Sequence, residues 1–90
     1  MSEISRDVLI TNRRGLHARA SAKFVTLASS LPTTVSVEKD GSSVVGTSIM
    51  GLMMLGAAMG DRVTISASGD GAEAAVTALA DLVEAKFGED

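Results

Sequence analysis

Arg62-Val63-Thr64-Ile65-Ser66-Ala67-Ser68 alternates polar and apolar side chains without interruption. A period of two reads as a strand with one face toward a core and the other toward water. A solvated face is the habit of antiparallel sheets, because parallel sheets are covered on both sides. The apolar face of such a sheet must be buried under other parts of the same chain. Two stretches have the helical period to cover it. Residues 18–30 carry Ala20, Phe24, Leu27 and Ala28, with Leu31 continuing the same stripe, and residues 72–87 carry Ala72, Ala75, Val76, Leu79, Leu82 and Val83 on another.

The remaining segments supply partner strands. Residues 4–11 contain Val8, Leu9 and Ile10 and read as a strand whose blurred alternation suggests cover on both faces. Residues 33–39 alternate again, with Val35 and Val37 on the side opposite Thr34, Ser36 and Glu38. Asp40-Gly41 suits a tight hairpin, and residues 42–46 return as its second strand. Leu31-Pro32 stops the first helix, since proline restricts its predecessor and cannot donate a backbone hydrogen bond. Ser48 is placed to cap a helix of barely two turns that stops at Gly56. On so short a helix Leu52 and Leu55 face the core, while Ile49, Met50, Met53 and Met54 are left partly exposed. Phe87 packs the last turn of the final helix, and Gly88-Glu89-Asp90 is expected to fray. The order β-α-β-β-α-β-α implies an α+β fold, a two-layer open-faced sandwich with the helices on one face of the sheet. Alternation alone does not fix the order of the strands.

Ninety residues suffice for one core, so residues 1–90 are read as one domain. Phe24 and Phe87 are the only aromatic residues, which leaves an aliphatic core. A formal charge of −3 argues against a nucleic-acid footprint, which needs a broad basic surface. The absence of cysteine excludes thiol chemistry and fits a reducing, cytoplasmic setting. One histidine without cysteine cannot build the usual zinc site, so neither a metal nor another cofactor is expected. The polar, acidic start of the chain does not read as a signal peptide. The apolar stretch 49–59 is interrupted by Gly51 and Gly56 and is too short to insert into a membrane.

Chemistry concentrates at Asn12-Arg13-Arg14-Gly15-Leu16-His17-Ala18-Arg19-Ala20-Ser21. His17, the only histidine, falls where the first strand gives way to the first helix. The first turn of a helix presents unpartnered N–H groups and the positive end of the helix dipole, an environment suited to an anion. Arg19 adds a guanidinium fork for phosphate or carboxylate oxygens. An unperturbed imidazole titrates at about 6.5, so a neutral, nucleophilic ring nitrogen is abundant at neutral pH. These residues suit a histidine that is phosphorylated and dephosphorylated. Position and composition alone leave a second reading open, in which His17 is a surface cap.

The segment from Asn12 to Arg19 resembles the active-histidine motif of the HPr family of phosphocarrier proteins in the phosphoenolpyruvate-dependent phosphotransferase system, a family that includes the nitrogen-branch paralogue NPr. Ser48-Ile49-Met50-Gly51-Leu52-Met53-Met54-Leu55-Gly56 resembles the family's regulatory-serine segment. The resemblance implies an open-faced β-sandwich with an antiparallel sheet in the order 1-4-2-3. It implies that His17 accepts a phosphoryl group on Nδ1 from phosphorylated Enzyme I and passes it to a histidine of an enzyme IIA protein of the sugar or nitrogen branch. Arg19 matches the arginine that attends the phosphoryl oxygens, and Ser48 matches the serine modified by HPr kinase/phosphorylase. Leu16, Ala20, Ile49, Met50 and Met53 match positions of the partner-docking patch. Many members have proline where this chain has Ala20, a position at which alanine also favours a helix.

By this resemblance the chain is a monomeric carrier rather than a free-standing enzyme. Two other classes stay open: a regulatory binding module of the same fold, and an unrelated small ligand-binding domain.

Overall fold

The computed structural model describes residues 3–89. Four strands, β1 (Glu3–Leu9), β2 (Val35–Lys39), β3 (Ser42–Val45) and β4 (Arg62–Ser68), alternate along the chain with three helices, α1 (Ala18–Ser29), α2 (Ile49–Met54) and α3 (Ala72–Glu84). Every strand pairing is antiparallel. The sheet order is β1-β4-β2-β3, so the strand with the cleanest alternation lies between two neighbours.

Register explains the two layers. Val8 lies opposite Val63, Ile4 opposite Ala67, Val35 opposite Ala67 and Val37 opposite Ile65. These side chains make one apolar face beneath the helices, where Phe24, Leu52, Leu79, Val76 and Val83 are all buried. The opposite face is polar, and Thr64 there donates its hydroxyl to Asp7 at 2.7 Å. The cover expected on both faces of the first strand is not found. Leu9 is 38% exposed on the open side, because all three helices serve the other face. Arg6, at the sheet edge on the covered side, instead reaches Glu84 of α3 at 3.1 Å.

Turns fall where the sequence places them. Asp40 and Gly41 both adopt positive φ, at 52° and 83°, the backbone twist that a two-residue hairpin requires. Ser48 caps α2 by accepting the Gly51 N–H at 2.9 Å. Leu27, Leu31 and Leu82 lie at the edge of the core rather than within it.

The largest departure is the carboxyl end. The last helix stops at Glu84, and residues 86–88 form a 3₁₀ turn in which Lys86 and Phe87 take φ of 59° and 56°. Left-handed backbone costs a non-glycine residue roughly 1–2 kcal/mol. Full burial of the Phe87 ring offsets a cost of that size. Lys23 of α1 fixes the turn by donating its ammonium to the Phe87 carbonyl at 2.7 Å. Gly88 and Glu89 donate backbone N–H groups to Ala85 and Lys86 at 3.1 and 2.8 Å, so the expected fraying does not occur at these residues. Asp90 lies outside the described residues.

Two loops are joined beside the start of α1. Ile10 donates to Asp61, Gly60 to Ile10 and Leu16 to Ala57, at 2.8, 2.8 and 3.0 Å. Gly15 makes this approach possible. With φ of 62°, it lies so close to the neighbouring loop that a Cβ would fall 2.3 Å from the Ala57 carbonyl oxygen. Gly41 has positive φ but open space around it. Gly41→Ala is therefore expected to lower stability by about 1 kcal/mol, the strain alone. Gly15→Ala should lose more than about 2 kcal/mol, because backbone atoms must also move apart. Denaturant unfolding of the two variants side by side checks the difference.

Candidate functional site

Asn12 is the first fixed point of the site. Its side chain is wholly buried, and its amide donates to the Gly15 carbonyl at 2.8 Å while the Gly15 N–H returns to the Asn12 carbonyl at 3.2 Å. This closes the turn that carries Arg13 and Arg14 outward. Leu16 is then buried and His17 becomes the N-cap of α1. Ser21, also buried, donates its hydroxyl to the Leu16 carbonyl at 3.2 Å and its N–H to the His17 carbonyl at 2.8 Å. The His17 backbone is thus held from both sides.

The imidazole is fixed at both nitrogens. The Arg19 N–H donates to Nδ1 at 3.2 Å, so Nδ1 presents a lone pair. Nε2 then carries the proton and donates it to Glu89 Oε2 at 2.7 Å. Glu89 Oε1 accepts from Asn12 Nδ2 at 3.2 Å. The His17 and Glu89 side chains keep 16% and 19% exposure, enough for an edge of the ring to reach solvent. Arg13, Arg14 and Arg19 are exposed and, together with Glu89, line a shallow cleft of about 260 Å³. The cleft is therefore cationic with one carboxylate at its edge.

Sequence reasoning placed His17 and Arg19 at a helix start, and they lie together there. Ser48 heads a different helix, α2, which packs beside α1. Ile49, Met50 and Met53 stand on the surface of α2 with 41%, 69% and 41% exposure, and Met54 and Met59 are exposed as well. Leu16 and Ala20 are corrected. At 6% and 0% exposure they face the core, because the tight turn at Gly15 and the first turn of α1 point both side chains inward. They support the histidine from beneath and present almost no surface to a partner.

Glu89 was missed. An acidic residue after a glycine near the end of a chain reads as a solvated tail, and its contact with His17 spans 72 positions. Asn12 and Ser21 are also buried, and nothing local in the sequence marks their burial. No cluster of three metal-ligating side chains, and no helix long and apolar enough to cross a membrane, occurs among the described residues.

The chain matches the family model described as the PTS HPr component phosphorylation site over residues 4–85. It is 43% identical to the phosphocarrier protein HPr of Cupriavidus necator over 86 residues, which span 96% of this chain and 97% of that one. It is 38% identical to the phosphocarrier protein NPr of Shewanella violacea, over 99% and 98% of the two chains. A crystal structure of HPr-C-His from Thermoanaerobacter tengcongensis superposes with a TM-score of 0.89 at 48% identity, covering 100% and 99%.

Burial pushes the Glu89 carboxyl upward, but hydrogen bonds from His17 and Asn12 and the charges of His17 and Lys23 outweigh it and hold the group below its ordinary 4.5. A carboxylate lowered in the folded state contributes stability that is complete above pH 4.5 and is lost as the pH falls through the folded-state value. The Glu89 carboxyl resonance, followed by ¹³C NMR, should accordingly titrate below 4.5, and in His17→Ala the midpoint should move up.

Proposed function

Because the chain belongs to the HPr family of phosphocarrier proteins, we propose that His17 Nδ1 is the atom that carries its phosphoryl group. Members of this family carry phosphoryl groups within the phosphotransferase system rather than turning over a free substrate. The observation that supports His17 is the direction of its lone pair: Nδ1 faces the N-terminus of α1 and is met by the Arg19 N–H.

The chemistry follows from that placement. The Nδ1 lone pair attacks phosphorus in line with the bond to the donor, which leaves with the electrons of that bond. As the N–P bond forms, the Arg19 N–H leaves Nδ1 and turns to a phosphoryl oxygen, joined by the Ala18 and Ala20 N–H groups, which have no partners earlier in the helix. The Arg19 guanidinium, exposed at the same turn, supplies a compensating charge. These contacts stabilise the phosphorylated form moderately, so the group can leave again. A ring edge open to solvent enters the sites of two successive partners, as a buried ring could not.

The donor in this reading is phosphorylated Enzyme I, and the acceptor is a histidine of an enzyme IIA protein of the sugar or nitrogen branch, in the cytoplasm. Ile49, Met50 and Met53 form the apolar part of the docking surface, where flexible methionines adapt to more than one partner. One chain contains every residue the reaction asks of the carrier, in keeping with a monomer and with one domain over residues 1–90, of which Met1, Ser2 and Asp90 are outside the described residues. Ser48 is the regulatory position, a substrate for HPr kinase/phosphorylase where a cell has one. A phosphate there would sit at the head of α2 and set negative charge beside Ile49 and Met50, against an acidic partner surface.

Transfer of labelled phosphate from phosphoenolpyruvate through Enzyme I tests this reading. Wild type should take up acid-labile label, His17→Ala none, and Arg19→Ala should react roughly a hundredfold more slowly, the loss typical of one charge-stabilising group. Label retained in His17→Ala would refute the assignment. Ser48→Asp should leave the fold intact and weaken binding to Enzyme I by about tenfold, equivalent to 1.4 kcal/mol, as read by titration calorimetry.

A further inference from the structure

We propose that Glu89, braced by Asn12, is a positioning residue that keeps the proton on Nε2 of His17 and thereby reserves Nδ1 for phosphoryl transfer. The inference rests on the reading of His17 as the phosphoryl carrier and adds a residue to it.

Both carboxylate oxygens of Glu89 are engaged. Oε2 accepts from His17 Nε2 at 2.7 Å, and Oε1 accepts from Asn12 Nδ2 at 3.2 Å. Asn12 is wholly buried and is itself fixed by its 2.8 Å bond to the Gly15 carbonyl. The backbone before Glu89 is anchored as well, by the buried Phe87 ring and by the Lys23 ammonium on the Phe87 carbonyl. A carboxylate held at both oxygens on a fixed backbone has one orientation, and it points at one ring nitrogen. This is the arrangement in which a carboxylate sets the tautomer of an imidazole.

Its use lies in the charge of the ring. When the Nδ1 lone pair forms the N–P bond, the imidazole becomes positive, and that charge is shared with the Nε2–H group facing Glu89. When the phosphoryl group leaves, the bonding pair returns to Nδ1 and the Nε2 proton stays in place. No proton is gained or lost in either direction. The neighbouring charged groups are Arg13 and Arg14 of the preceding turn and Arg19 and Lys23 of α1, all cations. Glu89 is the only acid lining the cleft among the described residues, so nothing else there would compensate a positive ring.

A role confined to tying down the carboxyl end would affect stability without affecting the ring, so the test reads the ring directly. Imidazole ¹⁵N spectra of the unphosphorylated protein, taken where the ring is neutral, should show Nδ1 unprotonated in wild type. Glu89→Ala should raise the protonated fraction at Nδ1, while Glu89→Gln, which keeps one acceptor oxygen but sets an NH2 group against the other donor, should raise it less than Ala. Single-turnover phosphorylation by Enzyme I should slow on the order of tenfold in Glu89→Ala, the size expected for loss of an orienting partner of a functional imidazole. Glu89→Gln should fall between Ala and wild type, since it retains one of the two acceptors and loses the charge. Unfolding midpoints of each variant separate these effects from stability. Wild-type spectra and rates within twofold in Glu89→Ala would overturn the proposal with the carrier reading intact. Failure of wild type to take label on His17 would defeat the carrier reading, and the proposed use of Nδ1 with it, whatever the spectra show.

Discussion

The site depends on the seam between residues 10–16 and residues 57–61. A loop ordinarily follows its own sequence, but here three backbone hydrogen bonds tie one loop to another that arrives more than forty positions later. The close approach admits no side chain at Gly15, so the turn before His17 is fixed by main-chain geometry. Main-chain contacts of this kind leave few alternative conformations, unlike contacts between long side chains. The start of α1 inherits that rigidity. Its first N–H groups and the imidazole keep a set relation without a bound partner to arrange them.

Two kinds of order therefore meet at His17. Below it, Leu16, Ala20 and Ser21 are packed and satisfied. Above it, three exposed arginines line the cleft. Buried support for the ring and exposed cations around it divide the labour, because packing fixes which nitrogen is presented while exposed guanidinium groups face an incoming anion. The methionine surface on α2 extends the same division, with Leu52 buried beneath Met50 and Met53.

Local periodicity carried most of the architecture. The alternation in residues 62–68, the hairpin at Asp40-Gly41 and the cap at Ser48 are each decided by a few adjacent residues, and each is found where the sequence places it. The strand order came instead from the resemblance to HPr proteins, since alternation says which face a residue takes and nothing about its neighbours. What stayed hidden was non-local. Asn12 looks like any turn asparagine until Glu89 is brought to it, and Leu9 looks like core until the helices are seen to cover one face alone. The end of α3 departs from the periodic pattern, which continues through Phe87, because the backbone reverses its handedness at Lys86 and Phe87 as the ring is buried.

The sheet order also bears on how the chain is made. Among the described residues the first strand finds its only partner in residues 62–68, and that partner is the last of the four strands in chain order. Until that segment leaves the ribosome, the sole pairing open to the nascent chain is the local hairpin of β2 with β3. Contacts so distant in sequence close late. The turn bearing His17 waits for them too, since its hydrogen-bonding partners occupy residues 57–61. A growing chain thus displays the histidine well before it possesses the shaped surroundings of that histidine, and the finished geometry becomes a sign that residues 57–68 have joined the fold.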